Sequence, residues 1–195
     1  MAEWVAPNQV AVRPRPGRAV AQGAGASLDH VVFRAQVARW RQAFDAEPGT
    51  RWALYFDDAV AFAAAMFGAW HASKTVVLCA DALPQTVAAL RAEVDGLAGD
   101  FAEACTPLAV HGSPSAAPLV EDDGSLWPPL DEQGTRLVVY TSGSTGAATA
   151  ISKTLAQLSR EVDALQASFG DMLEGAVVQG TVSHQHIYGV LFRVL

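Results

Sequence analysis

The stretch Val138-Val139-Tyr140-Thr141-Ser142-Gly143-Ser144-Thr145-Gly146 decides how this chain is read. Its first part, with Leu137 before it, is a β-branched and aromatic run that reads as a buried strand ending at Tyr140. The six residues from Thr141 to Gly146 are only Gly, Ser and Thr. They have no side chain that anchors in a core, but they offer four hydroxyls and a pliant backbone. Gly143 and Gly146 admit positive φ and allow a ligand to approach the main chain closely. Successive N–H groups in such a turn form a concavity for an anion. Thr141, Ser142, Gly143, Ser144, Thr145 and Gly146 are therefore candidate phosphate-binding residues at the end of a strand. The competing reading is a plain Gly/Ser/Thr surface turn. The pattern is not a Walker A loop, because no Lys follows Gly146 and the nearest, Lys153, lies seven residues on. The G-x-G-x-x-G dinucleotide fingerprint is also absent.

Working outward, residues 149–153 are expected to return as a strand antiparallel to 136–140. Thr154 and Gln157 then have the form of a capping box. The helix that follows shows Leu155, Leu158, Val162 and Leu165 on one face, with Gly170 as its stop. Upstream, Arg51–Phe56 reads as a strand and Asp57-Asp58 as the cap of an almost wholly apolar helix reaching Trp70. Thr75–Ala80 is a buried strand, and Pro84 opens a helix to about Val94. Ser27 is a plausible N-cap for a helix with Phe33, Val37, Trp40 and Phe44 on its apolar face and Arg34, Arg39 and Arg41 off it. Ala19–Ala21 suggests a short edge strand. Apolar strands alternating with helices predict an α/β fold, a largely parallel sheet flanked by helices. Residues 1–17, with Pro7, Pro14 and Pro16, read as an extended lead-in to an α/β unit over 18–195. Pro107–Val110, Pro118–Val120 and Ala176–Thr181 suggest further strands, and Asp122-Asp123-Gly124 and Pro128-Pro129 suggest turns. Glu121-Asp122 offers carboxylates for metal or acid/base work, or merely a solvated turn.

With 195 residues, 51% of them hydrophobic, the chain can bury one sizeable core. A net charge of −7 argues against non-specific nucleic-acid binding. Cys79 and Cys105 do not make a disulfide framework, which fits a reducing cytoplasm. No secretory leader and no apolar run long enough to span a membrane is expected.

The string Tyr140-Thr141-Ser142-Gly143-Ser144-Thr145-Gly146 resembles the phosphate-loop motif of the adenylate-forming superfamily: acyl- and aryl-CoA synthetases, peptide-synthetase adenylation domains and luciferases. There the motif reads Y-T-S-G-[ST]-T-G-x-P-K-G-V. In register, Ala148 stands where that family has Pro and Thr149 where it has Lys, which removes a cation from beside the phosphates. Lys153 is the one nearby candidate to replace it, provided the loop folds it back. Further on, His186-Ile187-Tyr188-Gly189 is similar to the family's H-x-x-G motif. The resemblance implies that His186 gates the acyl pocket. A zinc-type H-x-H with His184 and a structural histidine are the rival readings. Neither yields a full ligand set, so no metal-binding residue is assigned.

The resemblance implies an enzyme that joins a carboxylic acid, aryl or fatty, to AMP from ATP and Mg²⁺. The acyl group then passes to CoA or to the phosphopantetheine of an acyl carrier protein. The family's later motifs, with a metal-holding Glu, a ribose-binding Asp and a catalytic Lys on a mobile C-terminal domain, find no match here. The apolar run Val190–Leu195 closes the sequence without a cap. The expectation is an N-terminal AMP-binding part, truncated at its C-terminal end, lacking the C-terminal domain of the same chain and inactive alone. The Phe56-Asp57-Asp58 turn and the Thr75–Leu78 strand also resemble the AMP-ligases of bacterial aryl-polyene pigment clusters. Two alternatives stand beside it: a non-catalytic module that binds nucleotide or carrier protein, and a phosphotransferase of unrelated fold, disfavoured by the missing Walker Lys.

Overall fold

Successive apolar residues of the central strands take opposite faces of the sheet, and that sorts the chain into layers. The computed structural model describes residues 4–23, 27–109, 124–142, 148–173 and 176–195. Strands β1 (Ala19–Gln22) and β2 (Ser27–Asp29) pair antiparallel as a small separate ribbon. Helix α1 (His30–Ala46) follows directly, then β3 (Arg51–Tyr55), α2 (Ala59–His71), β4 (Thr75–Leu78), α3 (Pro84–Leu90) and β5 (Gly96–Gly99). After residues 124–130 come β6 (Arg136–Ser142), β7 (Ala148–Thr154) and α4 (Leu155–Leu173). A single turn, Ile187–Gly189, runs into a π-type turn, Val190–Val194. The main sheet has the order β5-β3-β4-β6-β7, parallel except for the last pair. The expected α/β fold with a largely parallel sheet is thus observed.

Trp52, Leu54, Val76, Leu78, Ala98, Leu137 and Val139 face α1, α2 and α4 in the larger core. Their neighbours Ala53, Val77, Cys79, Leu97 and Val138 face the other way, toward Val87 and Leu90 of α3 and toward Phe101. This two-residue period is what a strand imposes on a sheet covered on both faces. In α2 every residue from Phe62 to Trp70 is buried, because α1 lies over its outer side. The two helices come close where Gly68 has no side chain: a Cβ there would stand 2.5 Å from Trp40 Cβ and 2.8 Å from the Arg41 nitrogen.

Several expectations are corrected. Ser27 lies in β2; the N-cap of α1 is Asp29, whose carboxylate accepts from Val31 N at 2.8 Å. An extended residue with an ionised acceptor is the stronger cap at that junction. Arg34 is not off the apolar face but fully buried, with Nε donating to the Ala11 carbonyl at 2.9 Å and its guanidinium 4.6 Å from the centre of the Trp127 ring. Residues 8–12 and 124–130 make this cover. In the segment expected to be an extended lead-in, Pro7–Gln9 forms a 3-10 turn and Ala11 is buried. Pro128-Pro129 is no turn: Trp127 N and Leu130 N on either side donate to the Val12 and Asn8 carbonyls, at 2.8 and 3.2 Å.

α3 stops at Leu90, short of Val94, and β5 follows unannounced. Gly-Leu-Ala-Gly has none of the β-branched or aromatic residues by which a strand is recognised. α4 runs through Gly170 to Leu173, since one glycine costs only about 1 kcal/mol in a helix whose apolar stripe continues to Phe169 and Met172. Residues 176–180 form no strand; Val177 and Val178 are 57% and 52% exposed, with no sheet edge to cover them. Of Pro107–Val110, only Leu108 makes an isolated bridge, to Ala98. Val110, Pro118–Val120 and Glu121-Asp122 lie outside the described residues.

Candidate functional site

β6 and β7 form a hairpin in unbroken register from Arg136↔Thr154 to Ser142↔Ala148. Thr141 opposes Thr149 and Ser142 opposes Ala148, so the first two candidate phosphate-binding residues are the last of β6. Gly143, Ser144, Thr145 and Gly146 lie outside the described residues. The stem is held from behind by the capping box. Gln157 N donates to Thr154 Oγ1 at 3.2 Å, and Thr154 N donates to Gln157 Oε1 at 2.9 Å. That reciprocal bond starts α4 with no connecting loop.

The hairpin also fixes Lys153. It opposes Leu137, at the far end of the stem, and its ammonium pairs with Glu161, nearly two helical turns into α4. From Lys153 to Ala148 the strand runs about 16 Å at 3.3 Å per residue. Lys153 is thus paired with Glu161, away from the Thr141–Ser142 end of β6. Tyr140, the last aromatic before the loop, donates its hydroxyl to Glu93 at 2.8 Å. Burial first, and that acceptor second, push its pKa up to about 12.

β3 and β4 are adjacent and parallel, yet the helices that leave them go to opposite faces: α2 joins the larger core and α3 the smaller. Their carboxyl ends thus diverge at a switch point, where open α/β sheets bind ligands. The residues there are Phe56-Asp57-Asp58 and Cys79-Ala80-Asp81. Three carboxylates around this point hold the backbone: Asp58 accepts from Ala61 N, Asp81 from Leu83 N, and Asp100 from Asp57 N, at 2.8, 3.0 and 2.9 Å. Cys79 is buried, and burial raises its thiol pKa to about 11, so it is inert.

Residues 183–189 come to this same end of β3. His184 Nε2 donates to the Phe56 carbonyl at 2.8 Å, and Gln185 Nε2 donates to the same oxygen at 3.0 Å. Both side chains are buried, at 5% and 8% exposure, and the His184 ring lies 5.1 Å from that of Phe62. His186 is exposed; its Nδ1 accepts from Tyr188 N at 3.4 Å and caps Ile187–Gly189. The structure separates the two histidines of the H-x-H pair: one is buried and the other exposed. Among the described residues no group of three or more His, Cys, Asp or Glu is placed to hold a metal ion, and no helix is long and apolar enough to cross a membrane. Sequence reasoning singled out His186, weighed His184 only as half of a zinc-type pair, and gave no place to Gln185. Polar residues after an apolar run look like solvated ones, and only the tertiary fold shows them buried.

The same architecture occurs in solved structures. Malonyl-CoA ligase with methylmalonyl-CoA and AMP bound is 18% identical, with a TM-score of 0.66 over 97% of this chain and 41% of that one. The amide bond synthetase McbA from Marinactinospora thermotolerans is 17% identical, with a TM-score of 0.61 over 83% and 37%. O-succinylbenzoate coenzyme A synthetase from Bacillus subtilis, in complex with AMP, is 13% identical, with a TM-score of 0.62 over 90% and 50%. No protein-family model and no curated protein matches the sequence. The fold is that of the N-terminal part of adenylate-forming enzymes. This chain spans between 37% and 50% of the length of those three.

Proposed function

We propose that the chain is the nucleotide-binding part of an AMP-forming ligase acting on an aryl or fatty acid, with CoA or a carrier protein's phosphopantetheine as the acceptor. The observation that carries this is the capped β6–β7 hairpin: β6 ends with Thr141 and Ser142 opposite Thr149 and Ala148, on the carboxyl side of a largely parallel sheet with this fold, and the Gly143–Gly146 string continues directly from it. ATP would supply the α-phosphorus that the carboxylate attacks, with Mg²⁺ sharing the charge of departing pyrophosphate.

In this reading the hydroxyls of Thr141, Ser142, Ser144 and Thr145 and the loop's N–H groups hold the outer phosphates as charge builds on the leaving group. His186, exposed on its turn beside the carboxyl end of β3, stands at the entrance for the acid. Two free cysteines are in keeping with a reducing cytoplasm.

The test is calorimetric titration of the chain with ATP, and pyrophosphate release with ATP, Mg²⁺ and a panel of aryl and fatty acids. Weak ATP binding, lost in the Ser144→Ala, Thr145→Ala double variant, is expected. Turnover by these 195 residues is not expected, since screening two approaching anions needs more cations than the loop carries. ATP binding unchanged by the double variant would refute the loop assignment.

A further inference from the structure

We infer that His184 and Gln185 are positioning residues, which pin the turn carrying His186 to the end of β3. This deepens the proposed function and rests on its placing of His186 at the acid entrance. The Phe56 carbonyl lies just past the last paired residue of β3, where no ladder partner is available. It receives two side-chain donors from consecutive residues, His184 Nε2 at 2.8 Å and Gln185 Nε2 at 3.0 Å. An sp² oxygen has two lone pairs, and here both are used.

That double contact dictates chemistry at both donors. Nε2 of His184 must carry the proton, which leaves Nδ1 an acceptor. Gln185 must turn its amide nitrogen toward Phe56, because the flipped amide would set oxygen against oxygen. The atoms left over, His184 Nδ1 and Gln185 Oε1, are buried with no hydrogen-bond partner among the described residues. The two bonds to the Phe56 carbonyl are therefore the side-chain hydrogen bonds that both residues make there.

The rest of the turn is fastened to the pinned residues. His186 N donates to the Ser183 carbonyl at 3.0 Å, Gln185 N to Ser183 Oγ at 3.2 Å, and Val190 N to the His186 carbonyl at 3.0 Å. Gly189 folds back so closely that any Cβ would fall on the Ser183 carbonyl and 2.8 Å from His184 Cα. Ser183 thus holds the His186 N–H and Val190 its carbonyl, so the His186 backbone is fastened on both sides. Phe62, in the first turns of α2, closes the pocket around His184. The His186 side chain therefore has its origin fixed relative to β3 and the switch point, while its ring stays in solvent.

Two variants separate positioning from bulk stability. Gln185→Met keeps length and burial, removes the donor, and also removes the orphaned Oε1. Gln185→Glu keeps the shape but sets a carboxylate oxygen against the Phe56 carbonyl. Hydrogen exchange of this chain should show protection at the His186 and Val190 amides falling about fivefold in Gln185→Met, the worth of one net hydrogen bond, and further in Gln185→Glu. Protection in β3 and β4 should hold, and the midpoint of thermal unfolding of Gln185→Met should stay near the parent's. Unchanged protection at His186 and Val190 in Gln185→Met would overturn the pin. A second arm uses the complete enzyme. There Gln185→Met should raise KM for the acid severalfold with KM for ATP unchanged, a split that a merely structural residue does not produce. Lost protection with unmoved acid kinetics would leave the pin but refute the role of His186, and with it positioning.

Discussion

Thr149 and Lys153 lie on the same face of β7, four residues apart, and only the first stands next to the loop. At 3.3 Å per residue they are separated by about 13 Å. Thr149→Lys puts an ammonium on the strand position opposite Thr141, beside the end of β6 that leads into the Gly143–Gly146 string. A hydrogen bond to a charged group contributes about 1.5–3 kcal/mol. Position 149 is exposed, so water screening favours the lower end, close to a tenfold gain in ATP affinity. Lys153→Met removes a partly exposed ion pair with Glu161, a loss of about 0–1 kcal/mol in stability, and should leave ATP affinity alone. Calorimetric titration of both variants with ATP at two salt concentrations decides the matter, since the gain in Thr149→Lys should shrink as salt rises. The reasoning fails if Thr149→Lys binds ATP no better than the parent, or if Lys153→Met binds it worse.

Other perturbations follow from the packing. Gly68→Ala drives a methyl into the backbone and Cβ of α1 at Trp40 and Arg41; overpacking there should cost about 1–3 kcal/mol, against about 1 kcal/mol regained in helix propensity, so urea denaturation should show net loss. Thr154→Ala removes half of the capping box and should cost about 1 kcal/mol in the same assay, with far-UV circular dichroism reporting any fraying of α4. His71 packs against Trp127, and burial, with Arg41 and Arg34 adding to it, lowers its pKa to about 4. The unfolded chain takes up a proton near pH 6.5 that the fold refuses until about pH 4, so stability is kept above pH 6.5 and lost as pH falls through that window. His71→Phe should flatten this part of the stability–pH curve; an unaltered slope would show that other groups set it.

The central strands were legible because both faces of the sheet are buried, which leaves uninterrupted runs such as Val76-Val77-Leu78. The β6–loop–β7–α4 unit was legible for a second reason: each of its junctions is made by local chemistry, down to Thr154 and Gln157. β5 was not, because Gly96–Gly99 pairs with β3 through its backbone and brings no strand-forming side chains. Nor was the burial of Arg34, which depends on residues 8–12 and 124–130, far apart in sequence, meeting over α1. In the candidate site the hairpin itself was legible, but β6 runs two residues past Tyr140, so Thr141 and Ser142 belong to the strand: cross-strand pairing with Thr149 and Ala148 extends it beyond its apolar run. The roles of His184 and Gln185 could not be read, since both act on a carbonyl roughly 130 residues away in sequence, and no periodicity encodes such a contact.

The way β6 joins the sheet has a kinetic consequence. On one side it meets β7, its immediate neighbour in sequence; on the other it meets β4 only through Val76↔Leu137 and Val77↔Val138, roughly sixty residues apart. Closing a loop of that size is entropically expensive before any contact rewards it. The hairpin and α4 should therefore assemble among themselves first and dock onto β4 late, at the step that completes the sheet. Stopped-flow measurements would then find Val77→Ala accelerating unfolding with little change in the refolding rate, while Leu158→Ala slows refolding. The segment proposed to grip phosphate would thus acquire its own shape before the switch point beside it exists.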